Sequence, residues 1–268
     1  MSVVRRLAVF GVFCLLCACA GTRAPKTVVT ERPDWASLFQ ERGVQGVLVL
    51  ENADGSVRKV FDPARAARGF LPASTFKIPN ALISLETGVV SGPDAVLRWD
   101  GVKRSAEAWN RDLTLREAFA VSCVPCFQGL ARAVGSERMS WWVRELGYGN
   151  ADISAGVDVF WLQGGMRVSA LEQVAFLRRL KEGRLPFSAR SMDMVKDVMR
   201  VEEGPGWTLR AKTGWTVGTD PGTGWWVGWL EKGGETWFFA LNIDMSAMAQ
   251  APARQEIVKA ALRGEGLL

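Results

Sequence analysis

The segment LPASTFKIPNAL, residues 71–82, sets Ser74 and Lys77 three residues apart. On a helix that spacing brings two side chains to one face, so a hydroxyl nucleophile and an amine base can meet there. Ser74 is expected to start such a helix, beside the unpaired amides of its first turn, and Pro79 falls where a helix still tolerates proline. The chain contains no histidine. That excludes Ser-His-Asp and Cys-His catalysis and argues against a catalytic zinc site. A proton leaving Ser74 must therefore go elsewhere, and Lys77 is the nearest amine. A second Ser-x-x-Lys, Ser56 to Lys59, is a decoy. It lies in an expected β-hairpin, where residues three apart point to opposite faces.

Downstream, in order, stand Ser122-Cys123-Val124, Tyr148-Gly149-Asn150, Phe160-Trp161-Leu162 and Lys212-Thr213-Gly214. Ser-x-x-Lys followed by a second serine motif and Lys-Thr-Gly is the active-site set of the penicillin-recognising serine enzymes. The particular forms here resemble class D (oxacillinase-type) β-lactamases. The resemblance runs from about Trp35 to the C-terminus and includes GWWVGWLE and Arg254.

The resemblance implies a role for each residue. Ser74 attacks the lactam carbonyl and becomes acylated, with its own amide and that of Trp215 as the oxyanion hole. Lys212, Thr213 and Arg254 receive the substrate carboxylate, for which the planar guanidinium is suited. Gly214 lets substrate approach the backbone of an edge strand. Ser122 relays a proton between Lys77 and the departing lactam nitrogen, or merely caps the helix beginning near Pro125. Phe76, Val124 and Trp161 make the surroundings of Lys77 apolar, which lowers a lysine pKa. A neutral amine can add carbon dioxide, and the resemblance implies that Lys77 does so (N6-carboxylysine), with the Trp161 indole donating to the carbamate. No other cofactor and no metal is expected. Tyr148 is expected to shape a turn and pack. Gln163 departs from the family, several members of which carry an acid there.

The elements that must position these residues follow from periodicity. QGVLVLENADGSVRKVF alternates about an Asn52-Ala53-Asp54-Gly55 turn and reads as a hairpin. Helical spacing appears in LTLREAFA, SERMSWWVREL and SALEQVAFLRRLKEG, the last with Ser169 as cap. GWTLRAKTGWT, GWWVGWLE and TWFFALNID read as strands, with a Lys232-Gly233-Gly234-Glu235 turn between the last two, and APARQEIVKAALRGEG closes as a helix. Most of the 12 tryptophans are expected to pack the sheet rather than stack on ligand. The expected fold is α/β (α+β): an antiparallel sheet flanked by helices with an inserted helical lobe, of the penicillin-binding serine β-lactamase type.

The N-terminus carries Arg5 and Arg6, a short apolar run from Leu7 to Cys17, and small residues at Ala18 and Ala20. That order reads as a cleaved secretory signal over 1–20, too short for a membrane span. A polar tether over 21–32 and a catalytic domain over 33–268 follow. Processing after Ala20 gives a soluble periplasmic protein, the preferred reading, while Cys19 also fits a lipoprotein site. Removal of 1–20 takes two arginines and no acid, and lowers the formal charge from +5 to +3. No basic run points to nucleic acid. Cys123 and Cys126 then remain, as two buried thiols or as a structural disulfide. Redox chemistry is disfavoured without a thioredoxin-like context.

The expected activity is hydrolysis of a small-molecule β-lactam through a serine acyl-enzyme, conferring resistance. Two alternatives share the motifs: a penicillin sensor that acylates without efficient turnover, and a peptidoglycan transpeptidase or carboxypeptidase. Val124, where many of the latter carry asparagine, argues against the last.

Overall fold

The computed structural model describes residues 27–268. The signal sequence, its cleavage after Ala20 and the lipid site at Cys19 lie outside the described residues. In chain order the elements are β1 (Val28–Glu31), α1 (Ala36–Gln40), β2 (Gly46–Asn52), β3 (Val57–Phe61), α2 (Pro63–Ala67), α3 (Lys77–Glu86), β4 (Val96–Leu97) and β5 (Leu113–Thr114). Then come α4 (Leu115–Ala120), α5 (Val124–Val134), α6 (Ser136–Leu146), α7 (Ala170–Lys181), α8 (Ala189–Val198), β6 (Arg200–Gly204), β7 (Trp207–Trp215), β8 (Gly222–Lys232), β9 (Glu235–Met245) and α9 (Ala253–Gly264).

Seven strands form one sheet in the order β1-β3-β2-β9-β8-β7-β6. All pairings are antiparallel except β1 with β3. The expected tether over 21–32 is thus corrected at its far end. Val28–Glu31 pair with Val57–Val60 as a parallel edge strand, because β3 leaves that edge free. Both expected hairpins form, β2–β3 with Gly55 at φ +71° and β8–β9 with Gly233 and Gly234 at φ +58° and +86°. Positive φ at adjacent positions is what a tight two-residue hairpin turn needs, and glycine supplies it without a Cβ penalty.

The central strands are apolar on both faces, so alternate residues feed two separate cores. In β2, Val47 and Val49 face one core while Leu48 and Leu50 face the other. In β8, Trp225, Val227 and Trp229 join the first, Trp226 and Leu230 the second. The second core is closed by the helices near the ends of the described chain, through Trp35, Phe39, Ile257 and Leu262. The first is continuous with α3 to α8, the inserted helical lobe. Several helix starts in that lobe are set by side-chain caps. Thr114 and Ser169 each form a reciprocal capping box, with Glu117 and Glu172, satisfying amide donors that a bare helix end would leave unpaired. Among the described residues no helix is long and apolar enough to cross a membrane.

Candidate active site

Ser74 lies in a 3-10 turn, Ala73–Phe76, that leads directly into α3. The expected single helix from Ser74 is therefore tighter at its start, and the α-helix proper begins at Lys77. The pairing survives: Lys77 Nζ donates to Ser74 Oγ at 2.9 Å. The turn is pinned by Thr75, whose amide and hydroxyl both donate to Pro72 O, at 3.1 and 2.7 Å. Gln173 of α7 donates in turn to the Thr75 hydroxyl at 2.9 Å. Ala73, just before the serine, sits at φ +47°, a left-handed conformation costly for alanine. The decoy pair does not meet: Ser56 accepts from Asn52, and Lys59 pairs with Glu265.

Lys77 is 1% exposed. Burial, with the positive charge of Lys212 as a lesser cause, holds its amine well below the ordinary lysine range. Its nitrogen lies 5.3 Å from the centre of the Phe127 ring. Phe127 belongs to α5 and is tied to α3 by Asn80, whose amide donates to the Phe127 carbonyl at 3.1 Å. Sequence reasoning missed this ring and named Val124, which opens α5 half-buried. Phe76 contributes indirectly: its ring stacks on Trp161 at 5.4 Å and meets Tyr148 and Phe160 edge-on. Tyr148 is buried in that cluster, as expected of a packing residue. Each such aromatic pair is worth about 1 kcal/mol beyond the area it buries, so Trp161 is held firmly. Its Nε1–H is buried and has no acceptor among the described residues.

Ser122 is placed by a helix ending, not a helix beginning. Its amide donates to Phe119 O at 3.2 Å and the next amide, of Cys123, donates to Ala118 O at 2.8 Å. These are the two bonds of a Schellman ending on α4, with Ser122 at the left-handed position that glycine usually fills. Its φ is +55°. The alternative in which Ser122 caps the helix near Pro125 is corrected: Cys123 is the N-cap, its sulfur accepting from Cys126 N at 3.3 Å. Cys123 and Cys126 are joined as a disulfide, which settles the alternative of two thiols.

The partner of Ser122 is Lys212, whose Nζ donates to its hydroxyl at 3.0 Å. Lys77, the other end of the expected proton relay, donates to Ser74. Lys212 is 4% exposed, with the Phe119 ring 5.5 Å away. Burial, then the charge of Arg254, brings its pKa down to about 7. Lys212-Thr213-Gly214 lie on β7, the penultimate strand rather than the edge strand expected. Even so, β6 pairs with β7 only from Trp207 to Arg210, so the rest of that edge is open. The amides of Ala211 and Thr216 donate in opposite directions, to Met199 and to Thr223 across β8. Alternation along the strand then turns the amides of Thr213 and Trp215 to the open edge. Gly214 has a second reason to be glycine: a Cβ there would lie 3.0 Å from Pro72 O and 3.2 Å from Thr75 N. The absence of one lets β7 press against the Ser74 turn.

Arg254, in the first turn of α9, donates to Gly214 O at 2.7 Å and is half-buried, its pKa lowered by burial to about 10. Lys77, Lys212 and Arg254 share one property: each hydrogen-bonds hydroxyl or carbonyl oxygens, and none has a carboxylate in salt-bridge reach among the described residues. Arg65 and Arg178, by contrast, pair with Asp244 and Glu51. Cations gathered without an acid leave a positive field for an anion. Gln163 is exposed.

A serine in contact with a lysine of lowered pKa, a second serine–lysine pair beside it and an open strand edge are suited to acyl transfer through a serine. The penicillin binding protein transpeptidase domain matches residues 46–263. Within that superfamily, the chain belongs to the class D β-lactamases. It is 43% identical over 265 residues to β-lactamase OXA-48 of Klebsiella pneumoniae, covering 99% of this chain and 100% of that one. It is 42% identical over 257 residues to OXA-10 of Pseudomonas aeruginosa, covering 95% and 97%. Among solved structures it resembles the class D enzyme FUS-1 (OXA-85) of Fusobacterium nucleatum, with TM-score 0.86 at 36% identity over 89% of this chain and 100% of that one. The class D enzyme YbXI of Nostoc gives a TM-score of 0.85 at 41% identity, covering 87% and 99%.

Proposed function

We propose that this protein hydrolyses the amide of β-lactam antibiotics through an acyl-enzyme on Ser74 and so confers resistance. The observation that carries the reading is the Lys77–Ser74 contact of 2.9 Å around a buried amine whose charged form is disfavoured. A neutral amine is the form that can add carbon dioxide, and Lys77, as that adduct beside Ser74, would take the hydroxyl proton as the oxygen attacks the lactam carbonyl. The oxyanion that develops falls to the amides of Ser74 and Trp215, preorganised donors being the strongest lever available to acyl transfer. Lys212 and Arg254, with the Thr213 hydroxyl, receive the substrate carboxylate. Ser122, hydrogen-bonded to Lys212, stands to hand a proton to the departing nitrogen. Gly214 brings the strand against the nucleophile turn.

The class implies a carbon dioxide adduct on Lys77, and the residues fit one. The Trp161 Nε1–H is a buried donor in want of an acceptor, which is costly to leave unmade. Trp161 and Ser74 would hold the adduct, which would supply an anionic base beside the acylated serine. The protein is placed in the periplasm after loss of residues 1–20, with lipid attachment at Cys19 as the alternative.

The test is a chromogenic β-lactam assay on purified protein, with the trapped adduct mapped by mass spectrometry. The expected result is turnover with the acyl group on Ser74, a carbamate signal from carbon-13 bicarbonate, and slow or biphasic turnover in degassed buffer that bicarbonate restores. Acylation without turnover would favour a sensor, and cleavage of a D-Ala-D-Ala peptide a carboxypeptidase.

A further inference from the structure

The Cys-x-x-Cys bridge is a motif to which the proposed chemistry gives no use. Its place in the chain is informative. Cys123 ends the Schellman turn of α4 and caps α5 in the same residue, so the turn carrying Ser122 hangs between two helices on a single buried sulfur. The other half of the bridge, Cys126, immediately precedes Phe127, the ring beside Lys77. The bridge therefore sits between Ser122 on one side and the wall of the Lys77 site on the other.

Left-handed serine is strained, at a cost of about 1–3 kcal/mol. Such a residue stays in place only when its surroundings leave it no alternative. Its two flanking hydrogen bonds belong to a frayable helix end. A covalent link three residues long does not fray. We propose that the Cys123–Cys126 disulfide is a positioning device for the acylation step, holding Ser122 in its left-handed conformation with its hydroxyl on Lys212. This rests on the β-lactamase reading above. With the bridge open, the turn can relax, and the fraction of molecules with Ser122 in reach of Lys212 falls. Steps that need a proton delivered to the lactam nitrogen slow in proportion. Deacylation, which has no such leaving group, is spared.

The bridge is open to attack. Cys126 is half-buried and, with Pro125, Trp109 and Leu130, lines a surface cavity of about 210 Å³. A dithiol such as dithiothreitol can attack the Cys126 sulfur, breaking the S–S bond and expelling Cys123 as a thiolate at the α5 N-terminus, where helix amides favour the anion. The second thiol of the reagent then closes its ring. Reagent loses two electrons, and the protein gains two electrons and two protons.

The experiment measures single-turnover acylation and deacylation of the full chain before and after dithiothreitol, with alkylation and peptide mapping reporting Cys123 and Cys126 separately from Cys14, Cys17 and Cys19. Reduction is expected to slow acylation about tenfold, a loss of competent molecules that corresponds to about 1.4 kcal/mol, and deacylation by less than about twofold. Reoxidation restores the rate. Cys126→Ala, which leaves the buried Cys123 cap in place, is expected to be permanently slow and indifferent to reductant. Equal rates before and after confirmed reduction overturn the proposal. So does a parallel loss in both steps, which marks a merely structural bridge, or alkylation of both residues in active, unreduced enzyme. Oxidised protein that is never acylated overturns the β-lactamase reading itself, a different failure from any of these.

Discussion

Two serine–lysine pairs meet at this site, and they are built in opposite ways. Ser74 and Lys77 are three residues apart, so one turn of backbone brings them together wherever that segment is helical. Ser122 and Lys212 are 90 residues apart, and their contact exists only because a helix ending and a strand edge arrive at one place. The first amine is buried beside the Phe127 ring, the second beside Phe119 and near Arg254. Both pKa values are depressed, yet the proposed chemistry asks for different states: at Lys77 an uncharged amine able to take up carbon dioxide, and at Lys212 a cation for the carboxylate. A local pair can be specified by spacing. A distant pair has to be specified by everything that holds the two ends.

The largest expected difference between the pairs is in the nucleophile. Ser74→Ala is expected to abolish acylation, since no nucleophile is left to carry the acyl group. Ser56→Ala, at the decoy spacing, should leave it within about twofold. Lys77→Ala is expected to fall nearly as far as Ser74→Ala, and bicarbonate should not rescue it. Acyl-enzyme mapped to a serine other than Ser74 would remove the first pair from the chemistry altogether.

The second pair should show a trade between stability and rate. Ser122→Gly keeps the backbone the Schellman turn needs and deletes the hydroxyl. Relief of the left-handed strain is worth about 1 kcal/mol, which raises Tm by about 2–4 °C in a domain of this size. Acylation should nevertheless fall about a hundredfold, the usual scale for a positioned proton donor. A variant both slower and less stable would mean that Ser122 is kept for packing rather than for its hydroxyl.

This contrast also explains what was legible beforehand. The Ser74–Lys77 pair, the decoy, both hairpins, the Ser169 cap and the layered fold all depend on short-range pattern, and each was readable from it. Ser122 is legible as a motif, but its place at the end of α4 and its contact with Lys212 are not. Its true position depends on where α4 stops, and a serine in a glycine position gives no signal of that. Phe127 was missed because its contact with Lys77 crosses between helices, although its i+3 offset from Val124 keeps it near the same face of α5. Val28–Glu31 looked like a tether because a short edge strand with both faces exposed carries no alternation to read. The open edge beside Lys212 depends on where β6 stops pairing, again a property of two distant segments.

The smallest effect expected is in pH, where the two lysines pull apart. Lys77 must lose its proton to act, so protonation as pH falls removes the base and gives kcat/KM its acid limb. Lys212 must keep its proton to bind a carboxylate. With its pKa in the free protein near 7, the cation is half lost there, and kcat/KM for an anionic β-lactam should decline on the alkaline side. The fall is about tenfold between pH 7 and roughly 8.3, if that charge is required. Arg254, with a pKa near 10, stays charged throughout and softens the loss. Once substrate is bound, its carboxylate favours the ammonium and raises the Lys212 pKa, so kcat should keep its value to higher pH than kcat/KM does. The measurement is a pair of pH profiles on one anionic substrate. If kcat/KM is level from pH 7 to about 9, Lys212 either keeps its proton or has no part in binding the carboxylate. Lys212→Ala then separates the two cases: kcat/KM falls more for an anionic than for an esterified β-lactam if the retained ammonium binds the carboxylate, and falls equally for both if it has no part in that binding.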